Sequence, residues 1–453
     1  MDRRNFIKAA GAFAAGTAIA GNLALGNKFF SGQLSNGKTP NIIFILADDY
    51  GIGEVSCYGA DNYRTPNIDK LASGGTRFTR AYTPSLCGPS RACILTGRYA
   101  FRTGATNQDA TGRFTPAAET MMPKILKPAG YVTAMIGKWG QLPQEAGDFG
   151  FDDYLQFKGS GIYWNTQLKG KTYILNGKET ILHDKEYMPD VMHTHLMEFL
   201  SKHKDDPFYV YYSLSEVHTE ILPTPDSAPD SKDLYADNIA YMDKLVGKLV
   251  AELERLKLRE NTLLVFFGDN GTAGGRADRA QIGGRRLDGA KGSMLEGGSI
   301  EPLIVNWPGV TPAGTICDDV IDSTDFLPTF AEVTGATLPR NVKIDGHSFA
   351  PKIRGEKSTP RDWAYVQLAA QWYVRDAHWK LTQAGDLFDM TGAPFEQKLV
   401  AADSKDPAAV AARAKLQAAL NELNPAGGIL DDGDGTGRHA NKKKKKKSED
   451  DDK

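Results

Sequence analysis

The chain has 453 residues, 41% of them hydrophobic and 24% charged, with a formal net charge of −2. That length buries a large core and predicts one big domain with a smaller companion. The near-neutral balance excludes a nucleic-acid binder built on a basic surface. Eight histidines are few for a multi-zinc enzyme, and Cys57, Cys87, Cys93 and Cys317 are too few for a disulfide framework.

At the N-terminus, Arg3-Arg4-Asn5-Phe6-Ile7-Lys8 precedes an Ala- and Gly-rich run from Ala9 to Ala20, and Ala18-Ile19-Ala20 offers a small-residue cleavage site. Residues 1–26 resemble a bacterial twin-arginine export signal, which implies an exported, periplasmic or secreted protein. Gly11 and Gly16 interrupt the run, and it is too short for a stable membrane span. Asn41 to Ala47 is a continuous apolar run, as in a strand buried on both faces of a parallel sheet, and it ends in Asp48-Asp49-Tyr50-Gly51. Thr65 to Ser73 reads as a helix. In Leu86-Cys87-Gly88-Pro89-Ser90-Arg91, Pro89 suits a first helical position, because its fixed φ fits and its missing N–H costs nothing there. Thr96-Gly97 ends this short helix. Cys87 then stands at the helix mouth, where free N–H groups favour an anion. Arg91, one turn on, faces the same side. Read singly, Cys87 is either a buried cysteine beside a capped helix or a nucleophilic thiol.

The same grammar recurs downstream. Tyr131 to Ile136 runs into Gly137-Lys138-Trp139, Phe208 to Ser213 leads to Glu216-Val217-His218, and Thr262 to Phe267 ends in Asp269-Asn270-Gly271. Met121 to Ala129, Asp190 to His203 and Lys232 to Arg255 read as helices between these strands. The alternation predicts an α/β fold with a large, mostly parallel sheet. Four strands that each deliver polar groups at their carboxyl ends converge where such sheets bind ligands. Gly159 to Leu182 reads as an inserted loop or hairpin, and Gly271 to Gly298 as a long loop carrying Lys291. Pro302 to Trp307 reads as a further strand and Asp322 to Thr334 as a helix. Short strands from about Arg361 and a helix from Pro407 to Leu423 predict a small antiparallel sheet with one helix. The Gly- and Asp-rich stretch that follows, Lys442 to Lys447 and the acidic end predict a disordered tail. The expected organisation is thus an export signal (1–26), a catalytic domain (38–355), a small α+β subdomain (356–426) and a charged tail (427–453).

Cys87-x-Pro89-Ser90-Arg91 followed by Leu95-Thr96-Gly97-Arg98 resembles the signature of the type I, formylglycine-dependent sulfatases of the alkaline-phosphatase-like superfamily. The resemblance covers roughly Pro40 to Phe349 and, more loosely, the C-terminal subdomain. It implies that a formylglycine-generating enzyme oxidises Cys87, and that the hydrated aldehyde attacks sulfur. It also implies a metal bound by Asp48, Asp49, Cys87, Asp269 and Asn270, sulfate binding by Lys138 and Lys291, and protonation of the leaving alcohol by His218, with Arg91 part of the catalytic motif. Apart from the family, Asp48, Asp49, Asp269 and Asn270 supply only oxygen, which suits one calcium ion ahead of magnesium. Trp164 is a candidate substrate-binding residue, and Trp139 and Arg285 are further pocket candidates. One departure stands out: where the family usually carries a histidine after Lys-Trp, this chain has Gly140-Gln141. That histidine helps expel sulfate from the covalent intermediate, so either breakdown becomes limiting, with Glu216 or His347 as substitutes, or Gly140 simply makes room for a larger substrate. The resemblance points to a sulfatase acting on sulfated carbohydrate. Two alternatives stay open at this point: a phosphate or phosphonate ester hydrolase on the same scaffold, and a degenerate protein that only binds sulfated glycans.

Overall fold

The buried run Asn41–Ala47 forms β1, and the main sheet grows outward from it on both sides. The computed structural model describes residues 39–108, 114–140, 142–159, 161–166 and 172–438. The export signal, Gln141 and the Lys-rich stretch therefore lie outside the described residues. The strands that follow are β2 (Thr76–Tyr82), β3 (Val132–Gly140), β4 (Asp153–Lys158), β5 (Thr172–Leu175), β6 (Lys178–Ile181), β7 (Phe208–Leu214) and β8 (Thr262–Gly268). A two-stranded ribbon, β9 (Gln281–Ile282) and β10 (Arg285–Arg286), precedes β11 (Ile300–Asn306) and β12 (Thr315–Asp322). Ten of these make one mixed sheet in the order β12-β2-β11-β8-β1-β7-β3-β4-β5-β6. Its centre, from β8 to β4, is parallel. β11 runs antiparallel to both its neighbours, and so does β5.

Both faces of the sheet are covered, which is why β1, β7 and β8 read as unbroken apolar runs. On one face Phe44, Phe267, Phe326 and Phe330 pack together, with the helix Phe326–Thr334 supplying the last two. On the other, Ile43, Ile45, Phe266 and Tyr212 meet Ile239, Met242, Val246 and Leu249 of the long helix Leu234–Arg255. The small C-terminal sheet has five antiparallel strands, β13 (Ala364–Leu368), β14 (Gln371–Arg375), β15 (Trp379–Thr382), β16 (Leu387–Asp389) and β17 (Lys398–Val400). The helix Pro407–Leu423 packs Leu416 and Leu420 against it. The insertion after Gly159 contributes the β5–β6 hairpin to the edge of the main sheet. All four cysteines are unpaired; Cys93 is buried, and Cys57 and Cys317 are half-buried. Among the described residues, no helix is long and apolar enough to cross a membrane.

The stretch read from composition as a tail differs from that expectation up to residue 438. The Ile429 N–H donates to the Phe101 carbonyl at 2.7 Å, Asp431 accepts from Thr106 and Asn107, and the Gln108 N–H donates to the Gly437 carbonyl at 2.8 Å. Backbone pairing with a distant loop holds this polar segment, and composition carries no sign of that.

Candidate active site

Register puts the functional groups on one rim. Ala47 pairs with Leu214 on one side and Gly268 on the other, and Gly137 pairs with Ser213. The central strand ends are therefore level, and Asp48, Asp269, Lys138 and the turn to His218 open together. The Asp269 N–H donates to the Ala47 carbonyl at 2.9 Å, and the Asp49 N–H to Asp269 Oδ1 at 3.0 Å. The helix Cys87–Thr96 aims its first residue at this rim. It starts at Cys87, two residues earlier than expected, because Leu86 serves as the extended cap; Pro89 still falls in the first turn, where N–H groups lack helical partners.

Cys87 Sγ lies 3.2 Å from Asp48 Oδ1, 3.6 Å from Asp49 Oδ1, 3.6 Å from Lys138 Nζ and 3.4 Å from Lys291 Nζ. Lys138 donates to Asp48 Oδ2 at 2.5 Å, and Lys291 pairs with Asp49. Arg91 forks onto Asp269 Oδ2 through Nε (3.1 Å) and Nη2 (2.7 Å), while its Nη1 donates to the Lys138 carbonyl and to Ser213 Oγ. Three carboxylates are thus faced by three cations in a closed space. Ligand atoms of Asp48, Asp49, Cys87 and Asp269 all lie within 4.8 Å of one another, and those of Asp48, Cys87 and His218 form a second such group. Asn270 donates to Asp49 Oδ1 at 2.9 Å and to the Gly271 carbonyl, while its buried Oδ1 has no hydrogen-bond partner. An orphaned amide oxygen beside three carboxylates fits a hard cation.

The electrostatics follow from burial and these charges. Burial alone would raise the Asp48 carboxyl, but Lys138, His218 and Arg91 hold it well below the usual range. Burial and the Asp48 charge push Asp269 up to about 7 against the pull of Arg91. Burial also pushes the Cys87 thiol well above its ordinary value, and the Asp269 and Asp48 charges add to this. Of the two readings of Cys87, the buried cysteine fits the unmodified side chain: burial first, and the neighbouring carboxylates second, favour the protonated thiol.

Arg91 and Asp269 have no exposed side-chain surface. Arg91→Ala leaves Asp269 buried without its partner and is expected to destabilise the fold by about 3–5 kcal/mol. Arg91→Lys recovers little, since one ammonium cannot reproduce the fork. Denaturant unfolding of both variants checks this; an unchanged midpoint overturns it.

His218 Nε2 lies 3.7 Å from Asp49 Oδ2, and Nδ1 sits 2.9 Å from the Thr219 carbonyl, which assigns the proton of the neutral ring to Nδ1. Trp164 is in a neighbouring wall: its ring packs on Tyr187, and its Nε1 donates to the Pro223 carbonyl in the loop after His218. Trp139 is a core residue, packed on Phe149 and Phe151 with Nε1 bonded to the Gln144 carbonyl, so the pocket role expected for it is not found. Arg285 is exposed and stacks on Phe395. Glu216 is buried, with one oxygen accepting from the Ser215 N–H, and His347 lies beside Asp325 in a small cavity that also includes Arg361. Gly140 has φ +82, and a Cβ built there would fall 3.1 Å from Arg91 Cδ. A histidine at this position strains the backbone and pushes the arginine that holds Asp269, so Gly140→His does not simply restore a helper. Ser213 and Gln108 escaped the sequence reading. Gln108 Oε1 accepts from the Gly88 N–H at 2.5 Å, covering the helix mouth beside Cys87, and no local pattern marks a glutamine for that task.

Relatives carry the same architecture. The protein-family model described as Sulfatase matches residues 40–336, and that described as N-sulphoglucosamine sulphohydrolase, C-terminal, matches residues 290–425. Arylsulfatase A of Homo sapiens is 32% identical over 367 residues, covering 72% of this chain and 70% of that protein. N-acetylgalactosamine-6-sulfatase of Canis lupus familiaris is 31% identical over 364 residues, covering 73% and 69%. The crystal structure of Ps i-CgsB in complex with k-i-k-neocarrahexaose superposes with a TM-score of 0.73 at 29% identity, covering 85% of this chain and 92% of that one. These matches run through the strands and the helix that build the Cys87 cluster, and the chain belongs to the sulfatase family of sulfuric ester hydrolases.

Proposed function

We propose that this sulfatase acts on sulfated carbohydrate, with Cys87 converted to formylglycine by a generating enzyme and one calcium ion bound in the oxygen cluster. The observation that carries the reading is Cys87 buried among two ammonium groups and two carboxylates. A hydrated aldehyde suits that setting: its hydroxyls donate to carboxylates and accept from ammonium groups, and it supplies an oxygen nucleophile where the thiol is held protonated. Asp48, Asp49, Asp269, Asn270 and residue 87 would hold the ion, which supplies positive charge beside the sulfate. Lys138 and Lys291 bind sulfate oxygens. A unit charge pair near 4 Å is worth about 4 kcal/mol at an effective dielectric of about 20, so each cation matters in a closed site. Arg91 keeps Asp269 and Asp48 in place. His218 gives its proton to the leaving alcohol oxygen as the sulfur–oxygen bond breaks.

The sugar class is supported by a relative named N-acetylgalactosamine-6-sulfatase and by a second, similar protein solved in complex with k-i-k-neocarrahexaose. Export to the periplasm or beyond is supported by Arg3-Arg4 and the Ala-rich run behind them. Converted enzyme assayed against defined sulfated oligosaccharides, an aryl sulfate, a steryl sulfate and matched phosphate esters tests the proposal. Preferred turnover of a saccharide sulfate is expected, and preference for phosphate overturns it.

Burial, with Lys138 nearby, lowers the His218 pKa below its ordinary 6.5. The acid form is therefore populated only at low pH and is lost as pH rises through that lowered value. Turnover of sugar sulfates, whose alkoxide leaves poorly, should fall along that limb, while an aryl sulfate, whose phenolate leaves unaided, should show a shallower one. His218→Ala should erase the limb for sugar sulfates; an identical profile in that variant removes His218 as the acid.

A further inference from the structure

The segment after the last helix returns to the active-site wall. The Gly437 carbonyl accepts from the Gln108 N–H, and Gln108 in turn covers Gly88 beside the nucleophile. Gly437 is seated tightly on the residue before Cys87: with φ +73, a Cβ built there would fall 3.0 Å from Leu86 Cδ1 and 2.7 Å from Leu368 Cδ1, a position only glycine fills. The next residue, Arg438, is exposed, and its Nη2 lies 3.3 Å from where a Cβ on Gly292 would stand. Gly292 follows the sulfate-binding Lys291, and its N–H donates to the Ser85 carbonyl at 2.9 Å, so this wall continues the Cys87 loop. A turn closed by Asp434 and Thr436 presents the arginine: Asp434 Oδ1 accepts from the Thr436 N–H, and Thr436 Oγ1 accepts from the Arg438 N–H at 3.1 Å.

The charges here are unlike those inside the site. Lys138, Lys291 and Arg91 each meet a carboxylate. Arg438 has no ion-pair partner among the described residues, and its exposed guanidinium stands at the rim. Guanidinium recognises sulfate or carboxylate through paired N–H groups, and outside the closed pocket that attraction is screened by salt.

We propose that Arg438 is a specificity residue that binds an anionic group, sulfate or carboxylate, on the sugar next to the one being desulfated. The assignment rests on the saccharide reading above. The test compares converted wild type, Arg438→Ala and Arg438→Lys on three disaccharides that share the scissile sulfate and carry a sulfate, a carboxylate or a hydroxyl on the neighbouring sugar, with an aryl sulfate alongside. Wild type should prefer one or both dianionic substrates, and which one distinguishes the two sources of the anion. Arg438→Ala should raise KM for that substrate about tenfold with kcat little changed, the scale of one charged hydrogen-bond pair. Arg438→Lys should fall between, and added salt should narrow the gap. Turnover of the aryl sulfate and of the neutral-neighbour substrate should not move. An unchanged preference in Arg438→Ala, or an equal loss on every substrate, overturns the assignment and leaves the saccharide reading standing. Wild-type turnover of the aryl sulfate with none of the saccharides overturns both.

Discussion

Cys87→Ala is expected to leave no measurable turnover on any sulfate ester while shifting the thermal midpoint by no more than about 3 °C. The side chain removed is small, and its sulfur sits among Asp48, Asp49, Lys138 and Lys291, which go on pairing with one another without it. Its chemistry has no understudy. Unconverted wild type should be as inactive as the variant, because burial and two carboxylates hold the thiol protonated at neutral pH. Co-expression with a converting enzyme should restore turnover in step with the fraction of the Cys87 peptide whose mass shows sulfur replaced by oxygen with loss of two hydrogens. Full activity in Cys87→Ala, or in protein whose Cys87 remains a thiol, overturns the formylglycine reading.

The core position of Trp139 follows from strand geometry. Successive strand residues point to opposite faces, so if Lys138 reaches the site from the end of β3, Trp139 turns away from it. Asp48, Asp269 and His218 were legible because each follows a strand buried on both faces, where apolar continuity is hard to miss. β2 was not: Thr-Arg-Phe-Thr-Arg-Ala-Tyr alternates, with Arg77, Thr79 and Arg80 partly exposed near the sheet edge. β12 hid for the same reason, with exposed polar and charged residues in its first half. The closure over the helix mouth was beyond local reading. Gln108 and Gly437 meet through one backbone hydrogen bond across most of the chain, within a run of contacts that ties residues 429–437 to residues 101–108.

Stripping the converted enzyme with a chelator should remove turnover by on the order of a thousandfold, the several kcal/mol a Lewis acid contributes, and calcium should restore it. The donor set decides which ion. Asp48, Asp49, Asp269 and the orphaned Asn270 Oδ1 are hard oxygens on the two loops that follow β1 and β8, suited to calcium, and elemental analysis of converted protein should find about one calcium per chain. Asp48, Cys87 and His218 make a second, overlapping set in which sulfur and imidazole suit zinc. Conversion of Cys87 deletes the sulfur from that set and leaves the oxygens untouched. Metal choice is therefore expected to change with maturation: offered both ions, converted protein should take up calcium, and unconverted protein should take up zinc. Zinc uptake should strengthen as pH rises, because the raised Cys87 thiol must first lose its proton. Two tightly held zinc ions in the converted enzyme would move the reading toward phosphate ester hydrolysis. Sulfate turnover that survives complete chelation would take the ion out of the chemistry and leave the charge on the ester to Lys138, Lys291 and the protonated His218.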